Sequence, residues 1–68
     1  MNDAQRRELA AYTTAIYAEL SGMTVARLRE YAREHHVPLG GESTKPKLVQ
    51  EMVGQLRHRR LLEMEGEL

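Results

Sequence analysis

The sequence predicts a small all-α fold of three helices, in which an N-terminal helix packs on a two-helix unit. Apolar residues recur at helical spacing in three segments, turn signals separate these segments, and no segment alternates as a strand does. The chain has 68 residues, 41% of them hydrophobic, and lacks Phe, Trp and Cys. A core of this size yields only about 3–5 kcal/mol of stability, and the missing cysteines exclude a disulfide framework.

The first helix is expected from about Asp3 to Leu20, with Asp3 as its N-cap. Ser21 and Gly22 end it, and Gly22 is expected in the left-handed conformation that often follows a helix. Residues 1–22 either cover the rest of the chain, which we favour, or mediate dimerisation or docking. The apolar face that serves either role consists of Leu9, Tyr12 (or Thr13), Ile16 and Leu20.

The second helix is expected to start at Thr24, whose hydroxyl caps it, with Met23 packing on Leu28 across the cap. Pro38 disfavours helical backbone at the residue before it, so the helix should end near His36. Its inward face is predicted to consist of Val25, Leu28, Tyr31, Ala32 and His35.

Residues 38–43 form a loop, in which Gly40 and Gly41 are a turn signal. Ser43 or Thr44 then caps the third helix, and Pro46 fits its first turn because the missing N–H costs nothing there. The apolar face of this helix is predicted to consist of Leu48, Val49, Met52, Val53 and Leu56.

The apolar pattern of the third helix breaks after Leu56. Arg59 and Arg60 fall where the stripe would continue, so the last turns, to about Glu63, are not expected to pack on the same core. Residues 61–68 form an acidic tail, in which Leu61, Leu62 and Met64 are either a frayed end, which we favour, or a partner contact.

Charge is unevenly distributed, although the net charge is zero. Residues 1–22 hold two basic and three acidic side chains, residues 23–60 hold eight basic and four acidic, and residues 61–68 hold three acidic and none basic. A basic centre between acidic ends is a hint about partners rather than about fold.

Several functional classes are disfavoured. No secretory h-region or membrane-length apolar run is present, so we expect a cytoplasmic protein that does not enter a membrane. The opening Met and the absence of tag residues suggest a complete small protein of bacterial or phage type. His35 and His36 are adjacent and His58 is isolated, so no metal site is expected. We expect no enzyme activity, cofactor or small-molecule substrate.

Residues 23–56, MTVARLREYAREHHVPLGGESTKPKLVQEMVGQL, resemble a SAP domain. This domain belongs to the helix–extension–helix group, which also contains LEM domains and the N-terminal domain of the Rho transcription terminator. The matching positions are Thr24, Val25, Leu28 and Tyr31 in the first helix, Val37, Pro38 and Gly41 in the exit and loop, and Thr44, Lys45, Leu48 and Val49 in the second helix.

The chain departs from the family pattern at three points. His36 stands where the family usually has Gly, the loop between Val37 and Leu48 is about one residue over the usual length, and Glu42 places an acid in the loop. The resemblance implies a SAP-like domain over residues 23–60 that binds duplex DNA weakly, with little base specificity.

The residues themselves support a phosphate-binding loop. The start of the third helix presents free N–H groups and a positive dipole end, which suit a phosphate. Lys45 and Lys47 flank that end, Thr44 is a donor, and Gly40 and Gly41 allow a backbone to approach closely. The alternative is that this segment has only a structural role, as an ordinary helix start with surface lysines.

Further basic residues extend this candidate DNA-binding surface. Arg27 and Arg29 are expected to supply neighbouring phosphate contacts. Arg57 and Arg60 lie on one side of the third helix, where they either complement its dipole or form a second phosphate patch. With about four phosphates neutralised, log affinity should fall with log salt at a slope of about −3.6. Such a protein would associate with the nucleoid.

A protein-interaction module is the alternative, because a fold does not fix the partner. LEM-like relatives bind proteins, and the first helix offers a surface for a homodimerising adaptor, possibly phage-encoded. Tyr12, Tyr17 and Tyr31 are expected to pack in or beside the core rather than to stack on bases, since they are spread over two helices.

Overall fold

The computed structural model describes residues 1–41 and 44–66. Over these residues it contains three helices, α1 (Asp3–Ser21), α2 (Val25–Glu34) and α3 (Lys45–Gly66), and no strand. The all-α fold of three helices is therefore confirmed. The predictions that concern Glu42, Ser43 and Glu67 lie outside the described residues.

A capping box starts α1 at Asn2, so the prediction of Asp3 as N-cap is wrong. The Asn2 carboxamide oxygen accepts from the Gln5 N–H at 2.8 Å, and the Asn2 N–H donates to the Gln5 side chain at 3.0 Å. Only Asn2 has a Gln three residues further on, and that reciprocal pair satisfies two backbone donors. Asp3 is the first helical residue, 3.6 Å from Arg6.

The end of α1 does not use a left-handed glycine, and that prediction is also wrong. Gly22 has φ −85° and ψ −3°, which is right-handed helical backbone. The N–H groups of Gly22 and Met23 donate to the carbonyls of Glu19 and Leu20 at 3.3 and 3.1 Å. These bonds satisfy the last carbonyls without a positive φ.

Thr24 caps α2 as predicted, since its hydroxyl oxygen accepts from the Arg27 N–H at 3.1 Å. The helix ends at Glu34, two residues before the expected end, because the chain closes it with a Schellman motif. His36 has φ 55°, and the Val37 N–H reaches back to the Ala32 carbonyl at 2.8 Å. A left-handed residue is therefore required where the SAP pattern has Gly.

The third helix begins after Thr44, whose carbonyl accepts from the Leu48 N–H at 3.0 Å. Pro46 lies in the first turn, as predicted. The predicted apolar face, Leu48, Val49, Met52, Val53 and Leu56, is entirely buried. The helix continues to Gly66, past the expected end at about Glu63, and Leu61 is half-buried rather than part of a frayed end.

One hydrophobic cluster joins all three helices and the extension after α2. It consists of Ile16, Leu20, Leu28, Ala32, Val37, Leu48, Val49, Met52, Val53 and Leu56. Tyr12 and Tyr31 pack at its edge, as predicted. The prediction is wrong for Tyr17, which is 52% exposed, and Val25 is exposed as well. Glu8 near the start of α1 contacts Arg60 near the end of α3, so these helices run antiparallel.

Candidate nucleic-acid interface

The start of α3 presents the predicted basic side chains. Lys45 is half-buried and Lys47 is exposed, and no acid lies in the first turn. Within the described residues, neither lysine has an ion pair with a carboxylate. The first N–H groups of a helix have no intrahelical acceptor, so this end of α3 combines positive charge with outward-facing donors.

The loop leads into this helix start through two exposed glycines, Gly40 and Gly41. Gly41 has φ 133°, a conformation that side-chain-bearing residues rarely adopt. A Cβ added there would meet no atom within 4 Å, so the glycine is required by the backbone conformation rather than by crowding. Thr44 is exposed at the end of the loop.

The two predicted arginines of α2 have different surroundings. Arg27 donates to Glu30 at 3.4 Å and to Glu34 at 3.3 Å, and its guanidinium lies 5.9 Å from the Tyr31 ring centre. Arg29 is exposed and lines a groove beside Pro38. Arg27 is therefore occupied by its own helix, whereas Arg29 faces the side of the extension.

The structure separates Arg57 from Arg60, which were expected to act together. Arg60 donates to Glu8 at 2.5 Å and to Glu63 at 3.3 Å, and it lies 5.9 Å from the Tyr12 ring centre. The hydrogen bond to Glu63, followed by that to Glu8, holds the pKa of Arg60 above its ordinary value. Arg57 is exposed and lines a different groove, between α1 and α3.

Two side chains of α3 fix the extension, and the sequence reasoning did not identify them as site residues. Arg59 donates to the carbonyls of His35 and His36, and Gln55 donates to the Pro38 carbonyl at 2.5 Å. These bonds satisfy carbonyls beyond the end of α2 and tie residues 35–38 to α3. The chain that leads to the loop is thereby held in place.

Two more residues beside the interface were missed, Arg33 and His36. Arg33 lies four residues after Arg29 on α2, a spacing that places both on one helix face. This spacing in the sequence could have identified Arg33 as a site residue. His36 could have been identified as well, because it replaces the glycine of the SAP pattern. Both side chains line a groove with Pro38.

The four candidate interaction residues of α1 lie in the interior or at its edge. Leu9, Ile16 and Leu20 are buried and Tyr12 is half-buried against the core. Ile16 and Leu20 belong to the core cluster that α1 shares with α2 and α3. The exposed surface between α1 and α3 is instead a groove of about 630 Å³ beside Leu9 and Leu61.

Over residues 1–41 and 44–66, no group of three or more His, Asp or Glu side chains could hold a metal ion. In the same part of the chain, no helix has the length and apolar character needed to cross a membrane. No protein-family model, curated protein or solved structure matches this chain. The resemblance of residues 23–56 to SAP domains therefore stays a prediction.

Proposed function

We propose that this chain is a small, non-enzymatic protein with a SAP-like domain that binds duplex DNA weakly and with little base specificity. The contacts are made by the loop and the start of α3. The observation that carries this proposal is the pair Lys45 and Lys47 at the start of a 22-residue helix with no acid in its first turn. Such an end favours a phosphate through its dipole and its N–H groups.

Ion pairing narrows the surface that we propose for DNA. Arg27 and Arg60 each contact two carboxylates within 3.4 Å, so a phosphate would have to compete with those acids. Lys45 and Lys47 have no such competitor among the described residues. We therefore centre the interface on these two lysines. Arg29, in the groove beside Pro38, adds a further contact, and Arg57 lies in a different groove.

Phosphate contacts of this kind give affinity without sequence information. About four contacts, from Lys45, Lys47, Arg29 and the N–H groups of α3, correspond to a salt slope of about −3.6 and to dissociation constants of about 10⁻⁴ to 10⁻⁶ M. The proposal includes a cytoplasmic location with association to the nucleoid.

Charge reversal of the two lysines tests the proposal. The variant Lys45→Glu with Lys47→Glu should lose most of its affinity for a labelled random-sequence duplex in fluorescence anisotropy. The magnitude of its salt slope should fall by about 0.9 for each lysine, from about −3.6 to about −1.8. Helical content, measured by circular dichroism, should stay the same because neither side chain belongs to the core.

The matched control is Arg6→Glu with Arg7→Glu, which changes the net charge equally on the exposed start of α1. This control should keep the wild-type salt slope. If both double variants lose the same affinity and slope, binding depends on net charge alone and the proposed interface is wrong.

A protein-interaction module, either LEM-like or a homodimerising adaptor, is the second candidate. The observation in its favour is the groove of about 630 Å³ between α1 and α3, with Leu9, Ala10 and Leu61 among its lining residues. Light scattering over a dilution series tests the homodimer. A mass of 7.8 kDa at every concentration would contradict it, whereas twice that mass would support it.

A further inference from the structure

The end of α2 and the extension form a shallow groove, in which Arg29 of the proposed interface lies beside residues that the proposal has not used. Arg29, Arg33, Val37 and Pro38 line one part of it, of about 290 Å³. Arg33, His36, Val37 and Pro38 line the adjoining part, of about 350 Å³. Basic and apolar residues therefore line this groove together.

Arg33 brings positive charge to this groove. It is exposed, and no carboxylate of the described residues forms an ion pair with it. The acids closest to it on α2, Glu30 and Glu34, both bind Arg27. The ion pairs of α2 therefore leave the charge of Arg33 uncompensated.

His36 is held in a backbone conformation that is unfavourable for a residue with a side chain. Its φ of 55° is the left-handed position of the Schellman motif, where Gly is the usual residue. The neighbouring His35 stacks on Tyr31, with ring centres 4.0 Å apart, whereas the exposed imidazole of His36 lines the groove. Strained positions of this kind are often retained for function.

We propose that Arg33 and His36 form a second contact with the phosphate backbone of the same DNA duplex. The guanidinium supplies charge and paired donors, and the imidazole supplies a further donor. This inference rests on the proposed DNA binding and deepens it. The ligand class is the sugar–phosphate backbone, and the contact carries no base specificity.

The two contact sites are close enough for one duplex. His36 and Lys45 are nine residues apart, so their Cα atoms lie within about 32 Å of each other. One turn of a DNA duplex extends about 34 Å, so the separation of the two sites does not exceed one turn. Arg59 and Gln55 bond the extension to α3, which keeps the two sites in a fixed relation.

Three variants of the full chain test this inference, with a labelled random-sequence duplex as the probe. Arg33→Gln should lower the salt slope by about one. His36→Asn retains a residue that tolerates the left-handed conformation but removes the imidazole, and His36→Gly also relieves the strain. His36→Gly should weaken binding by about 2- to 10-fold, as expected for one lost hydrogen bond, and should melt at a higher temperature than wild type. His36→Asn should weaken binding less, because its shorter carboxamide still carries a donor.

Arg7→Gln on α1 is the control and should bind as wild type. Wild-type affinity and slope in all three variants, with binding lost in Lys45→Glu/Lys47→Glu, would overturn this inference and leave the proposed function standing. Weaker binding together with lower melting temperatures in both His36 variants would assign His36 a structural role. That result would overturn the DNA contact proposed for His36. Failure of the wild-type chain to bind the duplex at low salt would overturn both proposals.

Discussion

Replacement of Leu20 by alanine should remove most of the stability of this fold. Leu20 lies at the end of α1 and is 0% exposed. It belongs to the same cluster as Leu28 of α2 and Leu48 and Met52 of α3, which are also fully buried. Its side chain thus holds the N-terminal helix on the two-helix unit, and alanine would leave a cavity where the three helices meet.

The expected loss is large relative to the total free energy of unfolding. A buried Leu→Ala replacement costs about 2.7–5.0 kcal/mol, whereas a core of this size supplies only about 3–5 kcal/mol. A loss of about 3 from about 4 kcal/mol leaves about 1 kcal/mol, a folded-to-unfolded ratio of about five to one. The melting temperature should fall by about 12–24 °C, at about 4–8 °C per kcal/mol.

Urea and thermal unfolding, followed by circular dichroism, measure this loss. Leu62→Ala is the matched control, because it removes the same atoms from a side chain that is 52% exposed. The control should stay within about 0.5 kcal/mol of wild type. If Leu20→Ala and Leu62→Ala cost the same small amount, then α1 does not stabilise the chain through the shared core and this reasoning is refuted.

Three further predictions follow from local features. Asn2→Ala should lower the free energy of unfolding by about 1 kcal/mol, whereas Asp3→Ala should cost less; the opposite order in urea unfolding would contradict the capping box at Asn2. Gly54→Ala should raise the free energy of unfolding by up to about 1 kcal/mol, because Gly54 is inside α3 and an added Cβ meets nothing within 4 Å. A free energy of unfolding below that of wild type would contradict the open space around Gly54. Burial, followed by the Glu19 carboxylate, holds the pKa of Tyr31 above its ordinary value of 10.0. The unfolded state therefore loses its proton first, and stability should fall as pH rises above about 10; Tyr31→Phe should remove that part of the pH dependence, and an unchanged dependence in this variant would contradict the shift.

Helix periodicity and cap residues predicted the fold because the information they use is local. Leu48, Met52 and Leu56 recur at helical spacing and are all buried, and Thr24 caps α2 as expected. The errors arose where two local solutions compete. Asn2 and Asp3 are both good caps, and only the pairing of Asn2 with Gln5 decides between them.

The candidate interface was less predictable because ion pairs depend on side-chain geometry. Arg27 and Arg33 both lie three residues from Glu30, yet among the described residues only Arg27 forms an ion pair with it. Arg60 pairs with Glu8, 52 residues away, and Arg59 binds carbonyls 23 and 24 residues away. No local pattern reports such contacts, so helix spacing alone grouped Arg57 with Arg60, either as complements of the helix dipole or as a second phosphate patch.

The central claim is tested most directly by an amide-shift NMR titration of the intact chain with a short random-sequence duplex, at low and at physiological salt. DNA binding predicts shifts at the amides of Gly40, Gly41, Thr44, Lys45, Lys47 and Leu48 that weaken as salt rises, because phosphate contacts release counterions. The amides of Arg6 and Arg7 on α1 should not shift. No shifts at low salt, or shifts confined to α1, would contradict the proposed function.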